Sequence, residues 1–226
     1  MTDRNGRSSG LTLRLAGQSL LFVAAMGASC FKIGTIPARE LYRISLPEIA
    51  DTGTVSGASP AGVAAPLAGT LAIAQYATPG IYGDPLIVYR INDTEYNAYP
   101  TREWALPLSD QLGVLTERVL SRTPLTPERA VFDPPSRRSQ TFIWRGTVRE
   151  FEEVDRGSQV LAAVRIDVRI VRAEDDSIVW SGTSRLERPA QPADMAGIVQ
   201  TLSTLADDVL TDLATRAAKE IAVKRP

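Results

Sequence analysis

Residues Tyr89–Leu120, YRINDTEYNAYPTREWALPLSDQLGVLTERVL, decide the fold. They carry a strand-like piece through an aromatic turn into an amphipathic segment. Leu108, Leu112, Leu115 and Val119 recur at the spacing that gives a helix one buried stripe, which leaves Asp110, Glu117, Arg118 and Arg122 facing water. Thr101 stands where it would cap the first turn, and Glu103 where an acid favours the helix dipole. Tyr89, Tyr96, Tyr99 and Trp104 crowd the entry to this helix. Such rings either wedge a helix against a sheet or form the lip of a ligand or partner groove. Nothing in the stretch is a reacting group.

Working upstream, Leu86–Ile91 and Glu95–Tyr99 read as a hairpin across the turn-forming pair Asn92-Asp93. Thr70–Ala77 reads as a strand with Leu71, Ile73 and Gln75 on one face and Tyr76 on the other. Arg39–Leu46 alternates as a first strand and ends at Pro47. Between these two, residues 48–69 are rich in Ala, Gly, Ser, Thr and Pro and read as a flexible low-complexity insert.

Downstream, Thr123–Arg138 contains Pro124, Pro127, Pro134 and Pro135 around the brief apolar run Ala130-Val131-Phe132, and reads mostly as loop. Three alternating runs follow. Gln140–Glu153 places Phe142, Trp144, Gly146 and Val148 on one face and then slips phase, so a bulge is expected near Arg149-Glu150. Gln159–Arg172 places Val160, Ala162, Val164, Ile166, Val168 and Ile170 on one face. Ile178–Glu187 turns Ile178, Trp180, Gly182 and Leu186 inward. Short polar turns at 155–158 and 174–177 make the three an antiparallel meander with one wet face. On that face Arg165, Asp167 and Arg169 are either a docking surface or solvated cross-strand pairs. A long helix from about Pro192 carries the stripe Met195, Ile198, Leu202, Leu205, Val209 and Leu213, with Asp194 near its start and Arg216 and Lys219 near its end. The expected fold is a single α+β domain: a mostly antiparallel twisted sheet, including the meander, with two main helices on one face.

Composition narrows the chemistry. At 226 residues and 44% apolar content the chain can bury one core. A net charge of −1 without a basic stripe argues against nucleic-acid binding. Histidine is absent and cysteine occurs once, which removes histidine triads, histidine metal sites, internal disulfides and thiolate clusters. Neither GxSxG nor GxxxxGK[ST] occurs. No enzyme, cofactor or metal is therefore expected.

The amino terminus has the order of an export signal. Arg4, Arg7 and Arg14 precede the apolar stretch LAGQSLLFVAAMGASC, which ends in small residues before Cys30. That ending resembles a bacterial lipobox, with small residues at Ala28 and Ser29 and Gly27 where a branched residue is usual. Residues 1–29 then read as a signal peptide, Cys30 as the lipidated residue, 30–38 as a tether and 39–222 as the body. A plain cleavable signal, and a short membrane helix over 15–31, are the alternatives. Each places the bulk of the chain outside the cytoplasm.

The whole order resembles the ABC-type transport auxiliary lipoproteins, the PqiC-like family, over roughly 37–222. The most specific part is Val88-Tyr89-Arg90, then Glu95-Tyr96-Asn97-Ala98-Tyr99, then Trp104 and the Leu108–Leu120 helix. The resemblance implies a non-enzymatic periplasmic lipoprotein, anchored at the outer membrane, that docks an MCE-domain protein of a lipid transporter and sometimes assembles as a homo-oligomer. A lipid carrier holding an acyl chain between sheet and helices is the second reading.

Overall fold

The computed structural model describes residues 38–45, 65–92, 94–136 and 140–224. The expected signal peptide, Cys30, the tether up to Pro37 and most of the low-complexity insert lie outside them. In chain order the strands are β1 (Glu40–Tyr42), β2 (Leu71–Ile73), β3 (Leu86–Arg90), β4 (Tyr96–Trp104), β5 (Val131–Phe132), β6 (Phe142–Arg156), β7 (Gln159–Arg172) and β8 (Ile178–Pro189). One turn of 3-10 helix, Gly80–Gly83, precedes β3; helix α1 (Leu108–Arg122) follows β4, and α2 (Met195–Val223) comes last.

β6 is the hub of one mixed, mostly antiparallel sheet. Along one edge it pairs with β7 from Phe142↔Arg172 to Arg156↔Gln159, and β8 adds antiparallel to β7. Its other edge is shared between two shorter partners: β2 runs parallel to Phe142–Trp144, and β3 runs parallel at Glu153–Val154. β5 extends the sheet beyond β2; β4 and then β1 extend it beyond β3. The sheet thus forks at β6. The bulge expected from the phase slip lies between Val148 and Glu150, between the two prongs. It turns Phe151, not Glu150, toward the core.

Both helices cover the same face, because each presents one apolar stripe and the sheet presents one apolar parity. The expected α1 stripe and the expected α2 stripe are buried throughout. They meet Trp144, Val148 and Phe151 of β6, Ala162 through Ile170 of β7 at alternate positions, and Trp180 of β8. Two glycines make the contact close. A Cβ at Gly146 would lie 2.0 Å from the Tyr76 ring, and one at Gly113 would lie 2.1 Å from the Phe132 ring. A thread of polar atoms crosses this core: Trp144 Nε1 donates to the Tyr76 hydroxyl (3.0 Å), that hydroxyl meets Thr116 Oγ1 (2.6 Å), and Thr116 donates to the Leu112 carbonyl (2.7 Å). Burial pushes Tyr76 up to about 12, against the pull of its two side-chain partners. The interior is satisfied here without water, which is what a dry polar group requires.

Several elements differ from expectation. Thr101 and Glu103 lie inside β4, so they neither cap α1 nor meet its dipole; α1 starts at Leu108 with Asp110 as the acid of its first turn. The β3–β4 pairing stretches the strand past Pro100, because a register shift between Leu86 and Val88 absorbs the extra residues. β1 is only Glu40–Tyr42, and it lies parallel to β4. The end of the low-complexity stretch is not insert: Leu67 is buried and its N–H donates to the Leu125 carbonyl at 2.9 Å. β2 is short and all three of its residues are buried, with partners on both edges. Ile178 is 59% exposed, because a register shift beside Val171 breaks the alternation at the start of β8. α2 begins at Met195, three residues after Pro192, with Asp194 as a true cap accepting from the Gly197 N–H at 2.8 Å. Its last turn holds no basic residue, so Arg216 does not serve the dipole. Arg216 donates instead to the Thr183 carbonyl (3.0 Å) and to Asp212 (3.2 Å), and stands over the Trp180 ring.

Candidate functional site

The meander turns one parity of each strand away from the helices, and this outer face is where the expected Arg165, Asp167 and Arg169 stand. Reading across β6, β7 and β8, successive rows are Glu152–Ala163–Glu187, Glu150–Arg165–Arg185, Thr147–Asp167–Thr183 and Arg145–Arg169–Ser181. Arg165, Asp167 and Arg169 therefore stand side by side in the centre of the face. Arg185 donates to Glu150 at 2.8 Å and to Glu187 at 2.9 Å, and Arg156 pairs with Glu187 at 2.8 Å. Arg149, the bulge residue, donates to Asp167 at 2.6 Å, and the Thr183 hydroxyl donates to the same carboxylate at 2.7 Å. Burial works to raise Asp167, but the Thr183 and Arg149 bonds outweigh it and hold the carboxyl below its usual range. Beside these rows lies an open groove of about 900 Å³ lined by Arg145, Arg149, Asp167, Arg169, Ser181 and Thr183 among others.

The four aromatics do not form one lip. Trp104 is 5% exposed and packs edge-on against Phe151, with ring centroids 5.6 Å apart, so it is a core residue. Tyr89 and Tyr99 are half-buried and in contact, 4.8 Å between centroids, with the Arg102 guanidinium 4.6 Å from the Tyr99 ring centre. Tyr96 is exposed and lies toward Arg90, at the opposite parity of the hairpin from Tyr89. The alternation of the strand, hidden in sequence behind the idea of an aromatic turn, separates them.

Two buried carboxylates escaped the sequence reading. Glu152 and Glu153, adjacent on β6 and pointing to opposite faces, are 0% and 4% exposed. Glu152 pairs with buried Arg90 at 2.7 Å and also accepts from the Tyr82 hydroxyl. Glu153 accepts from the Tyr99 hydroxyl at 2.8 Å. Burial raises Glu152, with Tyr82 and Arg90 pulling it back, and burial raises Glu153, with Tyr99 pulling it back. Both tyrosines are raised by burial and by their carboxylate partners. This double latch fastens the β3 prong and the 3-10 turn to the hub strand. The signal available in sequence was the pair of acids inside an otherwise well-patterned strand; their partners lie 54 to 70 positions upstream and nothing local points to them.

Among the described residues no cluster of three acidic or sulfur ligands is placed to hold a metal ion. No described helix is long and apolar enough to cross a membrane. Cys30 lies outside the described residues.

The family model for the ABC-type transport auxiliary lipoprotein component matches residues 45–214. The chain belongs to that family. The matched region takes in α1, the meander and most of α2, so the outer face and the double latch belong to the family body. Among solved structures, a Xanthomonas campestris protein assigned to the DUF330 family model aligns with TM-score 0.62 at 19% identity, covering 80% of this chain and 95% of its own. A second, uncharacterized protein aligns with TM-score 0.57 at 18% identity, covering 82% of this chain and 99% of its own. At such identities these two share the fold with this family member. No curated protein matches the chain.

Proposed function

We propose that this auxiliary lipoprotein is a non-enzymatic docking subunit at the periplasmic side of the outer membrane. Residues 1–29 are its signal peptide, Cys30 carries the lipid, residues 30–38 are the tether and residues 39–222 form the body that receives an MCE-domain protein of an ABC-type lipid transporter. The observation that carries this reading is the asymmetry of the body: one sheet face is sealed by helices, and the other presents a charged surface of arginines and carboxylates paired across the strands. A chain without histidine and with a family description of transport auxiliary component supports the same conclusion.

The acyl-carrier reading needs space between helices and sheet. The contacts favour a filled interior instead, since rings occupy the room left by Gly113 and Gly146 and the polar thread from Trp144 to Leu112 spans the gap. Crosslinking of the full-length protein in intact cells, followed by identification of captured proteins and lipids, tests the two. Recovery of an MCE-domain protein without stoichiometric lipid is the expected result. Stoichiometric lipid with no transporter protein would overturn the docking role.

A further inference from the structure

The outer face holds one row whose charges its own side chains do not balance. Arg145 of β6 stands directly opposite Arg169 of β7, and the residue opposite Arg169 on β8 is Ser181. Like charges directly opposed across strands destabilise a sheet. The other such row contains its own remedy: Arg165 faces Arg185, but Glu150 completes that row, 2.8 Å from Arg185 and 3.9 Å from Arg165. No carboxylate stands in the Arg145–Arg169–Ser181 row. Arg145 reaches Asp176 in the β7–β8 turn at 2.6 Å, and Arg149 uses Asp167. Arg169 is exposed and makes no ion pair among the described residues. Arg145, Arg149, Asp167, Arg169, Asp176 and Ser181 line the open groove.

We propose that this groove binds one compact phosphate-type anion, held by Arg169 and Arg145 with the Ser181 hydroxyl. Guanidinium forks match phosphate oxygens in pairs, and an anion between two guanidiniums turns their repulsion into shared attraction. Asp167 and Asp176 flank the position and disfavour an extended polyanion, so the ligand is a single phosphate ester or the headgroup of an anionic phospholipid. An extended acidic peptide gains little here, because the site is on the face of the sheet, where the strand backbones are already paired and no edge is offered for strand addition. The inference stands on the row of charges and does not depend on the docking role.

The test is calorimetric titration of the full-length protein in neutral detergent with three probes: inorganic phosphate, glycerol phosphate, and phosphatidylglycerol doped into the micelles. Saturable binding is expected and should weaken at least about tenfold in Arg169→Glu and Arg169→Ser, as loss of a charged recognition group does. Arg169→Glu should at the same time keep or raise the thermal midpoint, since it replaces a like-charge pair by an opposite one. Arg188→Glu, outside the groove lining, should bind as wild type. Binding of the soluble phosphates assigns a phosphate ester as the source; binding of the phospholipid alone assigns a headgroup. Saturable binding of none of the three probes, or unchanged affinity in both Arg169 variants, overturns the proposal.

Discussion

The two faces of β6, β7 and β8 are made by the same strands and obey opposite rules. On the helix side, Trp144, Phe151, Val164, Ile166 and Trp180 are almost wholly removed from water, and each position has a volume it must fill. On the other side stand rows of partly exposed ions that share partners, as Arg185 divides itself between Glu150 and Glu187. Stability therefore concentrates on one face and freedom to vary on the other. Glu152 is the charged exception: it has the parity of the outer face and the burial of the inner one, because Tyr82 and Arg90 are folded over it.

The comparison can be broken first at the core. Phe151→Ala should cost about 3–5 kcal/mol in denaturant unfolding, the range for emptying a buried aromatic site; a loss below about 1 kcal/mol would mean that the helix face is not tightly packed. Next comes the exception. Glu152→Ala removes the carboxylate paired with the buried Arg90 guanidinium at 2.7 Å, and removal of one member of such a pair costs about 3 kcal/mol or more. Adding Arg90→Leu should restore part of the loss, which a double-mutant cycle would read; no recovery would show that the latch acts through Tyr82 alone.

A pH titration of stability sharpens the contrast further. Burial raises Glu153, so the folded state holds that proton more tightly than the unfolded chain; its contribution is full below the ordinary glutamate range and is lost as pH rises through the raised value. Asp167 is lowered, so its contribution is full above the ordinary aspartate range and is lost as pH falls through the depressed value. Glu153→Gln should thus flatten the decline on the higher-pH side, and Asp167→Asn the decline on the acid side. Exchange of those two signatures would refute the assignment. The smallest effect is expected at the exposed pairs: Arg145→Ser, which removes the ion pair with Asp176, should change unfolding free energy by less than about 1 kcal/mol, measured at low and high salt.

Much of this architecture is visible in periodicity alone. Alternation over Gln140–Glu187 determines three strands, their shared core face and the bulge, because a single slip of parity in so regular a run has few physical explanations. The stripes of α1 and α2 likewise determine which sides of the helices are buried. The rows containing Arg165, Asp167 and Arg169 were legible as a wet face. Their partners were not, since the pairing register depends on two bulges and turn geometry.

Other features come only from tertiary structure. The fork at β6, with β2 and β3 sharing one edge, joins strands that are far apart in sequence, and nothing local to either says that it pairs with β6. The same holds for the insertion of Tyr76 over Gly146 and for the burial of Glu152 beneath Tyr82 and Arg90. Local patterning decides which face of an element seeks the core, because hydrophobic burial depends on period. Which distant group meets a buried acid, or which two arginines are left facing one another, is decided by packing in three dimensions.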